Sequence, residues 1–250
     1  RGMSAGTQHI IIDQEMARAG VPFMLNAIGL SWAGPTILRF GTEAQKRRFI
    51  PPLLRGDEIW CQGFSEPEAG SDLASLRTRA RRDGDDYVID GHKVWTTLAH
   101  FADYMILLAR TDPAAPKHGG ISYFLAPMKT PGITVRPLIK MTGEGGFNQE
   151  IFSGVRIPRD ALLGQEGQGW EIAVTTLSFE RGASEGSAGS SAGVVDAVGS
   201  VIAMARNLRR DGKPVLDDPV VRDRLAAFAI EEYAIRYCVP RSRIAGLTQD

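Results

Sequence analysis

Two short strings hold the residues best suited to meeting a polar, planar ligand. The first is Trp60-Cys61-Gln62-Gly63-Phe64-Ser65-Glu66-Pro67-Glu68-Ala69-Gly70-Ser71-Asp72, a strand-like run that turns into a loop of small residues. Small side chains there leave backbone N–H groups and the Ser65 and Ser71 hydroxyls open to a ligand's polar edge or to a phosphate. The same composition suits a plain surface turn, since Glu-Pro and Ala-Gly pairs are common in loops. The second string is Asp90-Gly91-His92-Lys93-Val94-Trp95-Thr96-Thr97, a tight turn leading into a strand with an indole and two hydroxyls. Trp95 can stack on a planar cofactor while a threonine hydroxyl meets a ring nitrogen, or it can pack in a core. Neither string decides between its two readings by itself.

Three stretches of different grammar must position these strings. From Thr7 to Glu58 the pattern is helical, with Ile11, Ile12, Met16 and Ala19 near a 3.6 period before the Gly20-Val21-Pro22 break, and a second helix follows. Thr42-Glu43-Ala44-Gln45 has the form of a capping box and predicts a helix ending near Gly56. Between Ile59 and Leu163 strands alternate with turns: Tyr87 to Gly91, Tyr104 to Ala109, Ile121 to Ala126, Thr134 to Leu138 and Ile151 to Ile157, punctuated by Pro127, Pro131, Pro137 and Pro158. After Gly164 the chain returns to helix, through Trp170, Val174, Leu177 and Arg181 and then Val220 to Cys238. Gly182 to Gly199 is rich in Gly, Ser and Ala; it is read as close helix packing ahead of a flexible linker. The expected fold class is α+β: an N-terminal helical segment (1–58), a central β-barrel-like domain (59–163) and a C-terminal helical bundle segment (164–250).

Composition narrows the function. Lys plus Arg equals Asp plus Glu at 29 each, so no net charge draws the chain to nucleic acid or an anionic membrane. Cys61 and Cys238 are far apart and the histidines (9, 92, 100 and 118) form no metal-type spacing, which argues against a disulfide framework or a zinc site. No apolar run approaches the roughly 18 residues of a membrane span. A soluble compartment is expected, the cytoplasm or, in a eukaryote, the mitochondrial matrix. The chain opens on Arg1, which leaves room for a removed targeting segment.

Order and company make the two strings specific. Ser65-Glu66-Pro67-x-Ala69-Gly70-Ser71-Asp72, then Gly91-x-Lys93-x-Trp95-x-Thr97, then Val155-Arg156-Ile157-Pro158, then Gly164-x-x-Gly167-x-Gly169-Trp170 resemble the signatures of acyl-CoA dehydrogenases in that family's order, across essentially the whole chain. The resemblance implies FAD held between the β domain and the C-terminal helices, and oxidation of an acyl-CoA thioester between its α and β carbons. It places Gln62, Phe64 and Ser65 at the isoalloxazine edge, Ser71 at the pyrophosphate or the acyl-CoA, Trp95 at the flavin face and Thr97 near N5. Glu68 stands where a glycine is more usual, and Leu98 where a small polar residue follows the threonine.

Such chemistry needs a carboxylate to take the α proton. The resemblance puts that base, for most members, on a late helix beyond Asp250; for a minority it lies just before an arginine on the first helix after the β domain. Ser178-Phe179-Glu180-Arg181 matches the minority arrangement, with Glu180 as candidate base and Arg181 in support, against a plain surface carboxylate as the alternative. The usual Arg-x-x-Phe-Gly segment at the adenine end is replaced by Leu208 to Lys213, where Arg206, Arg209 or Arg210 are the available cations. The resemblance further implies an electron-transferring flavoprotein as acceptor and a homo-oligomer, with weak FAD retention by this chain made alone. A flavin oxidase or monooxygenase and a noncatalytic subunit are the rival readings.

Overall fold

The computed structural model describes residues 11–12, 15–16, 18–19, 21, 26–180 and 197–241. Contacts divide the chain into two compact units, one spanning residues 22–189 and the other combining residues 7–21 with 190–250. Both ligand-facing strings belong to the first.

That unit opens with a π-helical turn, Gly29–Ala33, continued by α1 (Gly34–Phe40), and then α2 (Glu43–Arg55). The expected capping box is formed: the Thr42 hydroxyl accepts from the Gln45 N–H at 3.2 Å, and Gln45 Oε1 accepts from the Thr42 N–H at 3.0 Å. Gly56 closes α2 in the left-handed conformation at φ 75°, which a side chain would disfavour. Buried Phe49 and Leu53 seat the helix although Pro51 and Pro52 interrupt its hydrogen bonds. The same side chain also reaches across, its Nε2 donating to the carbonyls of Asp160 and Leu162 at 2.8 and 2.9 Å.

The strands are β1 (Trp60–Gly63), β2 (Arg79–Asp83), β3 (Asp86–Thr97), β4 (Tyr104–Arg110), β5 (Ile121–Pro127), β6 (Ile133–Leu138), β7 (Phe147–Pro158) and β8 (Leu162–Leu163). The expected strand segments fall within β3 to β7. Their order is β6-β7-β3-β2-β4-β5-β8, with β1 lying parallel against β4. β2 meets β4 at a single pair, Arg79 with Arg110, so β1 and β2 share one edge of β4. Among the described residues β6 and β8 do not pair, and the sheet is open where a barrel-like domain was expected. β8, only two residues long, offers too little edge to close it.

β4 and β5 are buried on both faces and so separate two cores. Ile106, Leu108, Tyr123 and Leu125 face the helices together with Trp60, Ile37 and Leu53. Met105, Leu107, Phe124 and Ala126 face the inward residues of β3 and β7, among them Ile89, Phe152 and Val155. Helix α3 (Gly169–Glu180) lies on the first core through Ile172 and Ala173. Its Thr176 hydroxyl is shared with Tyr123 at 3.1 Å and Thr36 at 3.0 Å, satisfying buried polar groups across three elements.

The second unit contains α4 (Ala197–Asn207), a short hairpin of β9 (Arg209–Arg210) and β10 (Lys213–Pro214), and α5 (Pro219–Arg241). The Glu232 carboxylate accepts from the Val198 N–H at 2.8 Å, tying α5 to the start of α4. The segment 182–196, where close packing was expected, lies outside the described residues.

Candidate functional site

The start of β1 is set by Asn26. Its side chain donates to the carbonyls of Leu53 and Glu58 and accepts from the Trp60 N–H at 3.1 Å. Gly63, the last residue of the strand, lets Met105 approach closely, since a Cβ there would lie 2.2 Å from Met105 Sδ. Gln62 Oε1 is buried without a hydrogen-bond partner. Phe64 is buried edge-on against Tyr123 at 5.9 Å. From there the loop is stitched to β3: the Val94 N–H donates to the Ser65 carbonyl at 3.0 Å, and Lys93 Nζ donates to the Phe64 carbonyl and to Glu66 Oε1, each at 2.9 Å. The two strings named from sequence therefore meet along one seam.

Lys93 and Glu66 form a buried ion pair. Burial pushes Lys93 down to about 8, with Glu66 opposing. Burial also pushes Glu66 up, but Lys93 and the N–H groups of Arg77 and Thr78 outweigh it and hold the carboxyl below its ordinary value. The pair braces the loop from behind, because Glu66 also accepts from the chain that follows, at 2.6 and 2.9 Å.

At Trp95 the register between β3 and β7 slips between Val94 and Thr96, and Trp95 itself has φ 65°. A positive φ at an aromatic residue costs about 1–3 kcal/mol and persists only where neighbours impose it. The bulge shifts the in-out alternation by one residue: Lys93 is buried, Trp95 two residues on is 61% exposed, Thr96 is buried and Thr97 is exposed. Trp95 rests edge-on against Phe147 at 5.9 Å, and Thr97 pairs with Phe147 across the strands. Leu98 follows at φ 59°, its N–H held by the Gly146 carbonyl.

Other expected site residues stand apart. Ser71 is exposed on the loop before Asp72, whose carboxylate accepts from Lys117 at 2.7 Å and from Ser75. Glu68 is exposed and paired with Arg77. Glu180 is the exposed last residue of α3; Arg181 lies outside the described residues. Among the described residues no hydrogen bond links Ser71 or Glu180 to the seam. Of the three arginines, Arg210 is 3.7 Å from Asp218.

Models of the acyl-CoA dehydrogenase N-terminal, middle and C-terminal domains match residues 1–57, 61–154 and 167–243. This chain belongs to the acyl-CoA dehydrogenase family. It is 42% identical over 232 residues to acyl-CoA dehydrogenase IpdE1 of Mycobacterium tuberculosis, covering 90% of this chain and 56% of that protein. Among solved structures, an acyl-CoA dehydrogenase from Geobacillus kaustophilus superposes with a TM-score of 0.82 at 30% identity, covering 94% of this chain and 62% of that one. The ChsE4–ChsE5 complex from Mycobacterium tuberculosis gives 0.80 at 37% identity, covering 94% and 60%. The chain thus spans rather more than half the length of the relatives it matches.

The sequence motifs of this family member do not point to the residues behind the seam. Glu150 on β7 is wholly buried; its Oε2 accepts from Thr96 Oγ1 at 2.6 Å and its Oε1 has no partner. Burial pushes its carboxyl up to about 7, against the pull of Thr96 and Lys93. Asn148, also buried, donates to the Thr96 carbonyl at 3.0 Å and meets His100 Nδ1 at 3.1 Å. The signal was available as strand alternation: Asn148, Glu150 and Phe152 share one face, and buried Phe152 marks it as the inward one.

Proposed function

We propose that this chain supplies one wall of the flavin site of an FAD-dependent dehydrogenase acting on acyl-CoA thioesters. The observation that carries the reading is Gln62 Oε1, a buried acceptor without a partner on the strand that runs into the braced seam. An acceptor left so costs about 1–3 kcal/mol. A donor on a bound ligand would remove that cost, and an oxidised isoalloxazine carries such a donor in its N3–H. Trp95, exposed at the bulge, would cover the ring, and the Thr97 hydroxyl would meet its N5 edge. Phe64 and Ser65 would line the edge beside Gln62, and Ser71 would meet a phosphate or the thioester's CoA portion. When bound, FAD supplies the acceptor for the hydride leaving the substrate's β carbon.

Glu180 is the candidate base, with Arg181 in support. It stands exposed at the end of α3, where nothing in the described chain covers it from a substrate's α proton. Replacing it, Glu180→Gln, is expected to abolish acyl-CoA bleaching of the flavin while leaving flavin retention intact. Unchanged bleaching would refute the assignment.

The domain limits proposed are 1–58, 59–163 and 164–250, and an electron-transferring flavoprotein is the proposed acceptor. Among the described residues no helix is long and apolar enough to cross a membrane. The proposed location is the cytoplasm, or the mitochondrial matrix in a eukaryote, and the proposed assembly a homo-oligomer. The likeness to the ChsE4–ChsE5 complex supports a second reading, in which this chain pairs with a different subunit. Mass measurement of the purified assembly separates the two.

A further inference from the structure

We propose that Glu150 and Asn148 are positioning residues that hold the Trp95–Thr97 bulge through Thr96, setting the flavin wall from behind. The inference rests on the wall reading above. Thr96 is the one residue of that bulge pointing inward, and its hydroxyl and its carbonyl are gripped by side chains of β7. Its hydroxyl donates to Glu150 Oε2 at 2.6 Å and its carbonyl accepts from Asn148 Nδ2 at 3.0 Å. The grip falls beside the slip, on the first pair after it, Thr96 with Asn148, and so adds side-chain hydrogen bonds where the ladder resumes. With Thr96 fixed on both sides, the residues before and after it are forced outward. That accounts for a tryptophan held at φ 65° with its indole in solvent.

The grip is anchored in turn. Glu150 sits opposite Lys93 in the β3–β7 register and opposite Val135 in the β6–β7 register. Burial raises the Cys61 thiol on β1 well above its ordinary value, and the Glu150 carboxyl adds to it. Lys93 is the cation that stitches β3 to the Phe64 carbonyl. The carboxyl behind Trp95 and the ammonium behind the Gln62–Ser65 loop are therefore neighbours, and the two halves of the wall share one buried polar unit. Asn148 extends it to His100, which lines a groove with Phe101, Met128 and Lys129.

The test uses protein labelled with 5-fluorotryptophan, in which the Trp95 fluorine resonance is assigned by Trp95→Phe. Thr96→Val removes only the hydroxyl, Glu150→Leu removes the acceptor, and Glu150→Gln keeps an acceptor of the same shape. Without flavin, Thr96→Val and Glu150→Leu are expected to shift, broaden or split the Trp95 resonance, while Glu150→Gln stays near the parent. With flavin, the first two are expected to raise the FAD dissociation constant by about tenfold or more, as misplaced contacts do. If Glu150→Leu does not fold, Thr96→Val carries the test. An unmoved Trp95 resonance in folded Thr96→Val, or a Glu150→Gln protein as perturbed as Glu150→Leu, would overturn the proposal. A moved resonance with FAD affinity unchanged both here and in Trp95→Ala would leave the positioning intact and refute the wall reading.

Discussion

Glu150 folds with its carboxyl out of water, whereas the unfolded chain leaves it solvated, so its titration is linked to stability. The folded value is raised, to about 7 from an ordinary 4.5. The stabilisation this group contributes is complete below 4.5 and is lost as pH rises through 7. Lys93, lowered to about 8, acts above that window, and Glu66, held below its ordinary value, acts beneath it. Unfolding midpoints measured from pH 4.5 to 7 should fall relative to those of Glu150→Gln; parallel profiles would mean the carboxyl is not perturbed as described. The Lys93–Glu66 pair makes a separate demand. Lys93→Met should cost about 3–5 kcal/mol in urea denaturation by leaving Glu66 buried without its cation, and adding Glu66→Gln should recover much of it. A loss below about 1 kcal/mol would reduce the pair to the worth of a surface contact. Both groups were only partly legible in the sequence. Lys93 and Glu66 appear there as motif letters, but that they are buried, and against each other, depends on a loop folding back across 27 residues.

Elements read more easily than contacts because their signals are local. The capping box at Thr42, the glycine stop at Gly56 and the strand runs with their prolines each rest on neighbours in sequence, and α2 and β3 to β7 fall where those signals place them. Thr42→Ala should destabilise the protein by about 1 kcal/mol, seen as a lowered unfolding midpoint with an unchanged denaturant slope. No loss would mean water caps α2 equally well. The strand-end behaviour was less legible. Nothing in Lys93-Val94-Trp95-Thr96-Thr97 announces a bulge, since the slip is imposed by Asn148 and Glu150 more than fifty residues away. Whether the strands close on themselves was illegible for a similar reason: strand count and proline spacing suit a compact sheet or a barrel, and the choice depends on which edges pair.

For the molecule as a whole, family membership came from four motifs in order, a property no single element holds. A dehydrogenase and an oxidase on the same framework differ in what the reduced protein does with oxygen. Flavin-loaded protein reduced by an acyl-CoA is expected to reoxidise slowly in air and rapidly with an electron-transferring flavoprotein; fast reoxidation by air alone would favour the oxidase. A panel of thioesters of different chain length and ring content, read by loss of oxidised flavin absorbance, would name the substrate at the same time. The pairing of β1 with β4 bears on a different matter, the order in which the molecule matures. β1 is joined parallel to a strand that comes after β2 and β3, and Lys93 reaches back 29 residues to the Phe64 carbonyl. Contacts that close long loops form slowly, because the entropy of closure is lost before the pairing rewards it. The hairpin of β2 with β3 and the pairing of β4 with β5 are more local and can form first. In refolding, those local pairs would then precede competence to capture a cofactor, and a nascent chain would hold part of its sheet before it could be loaded.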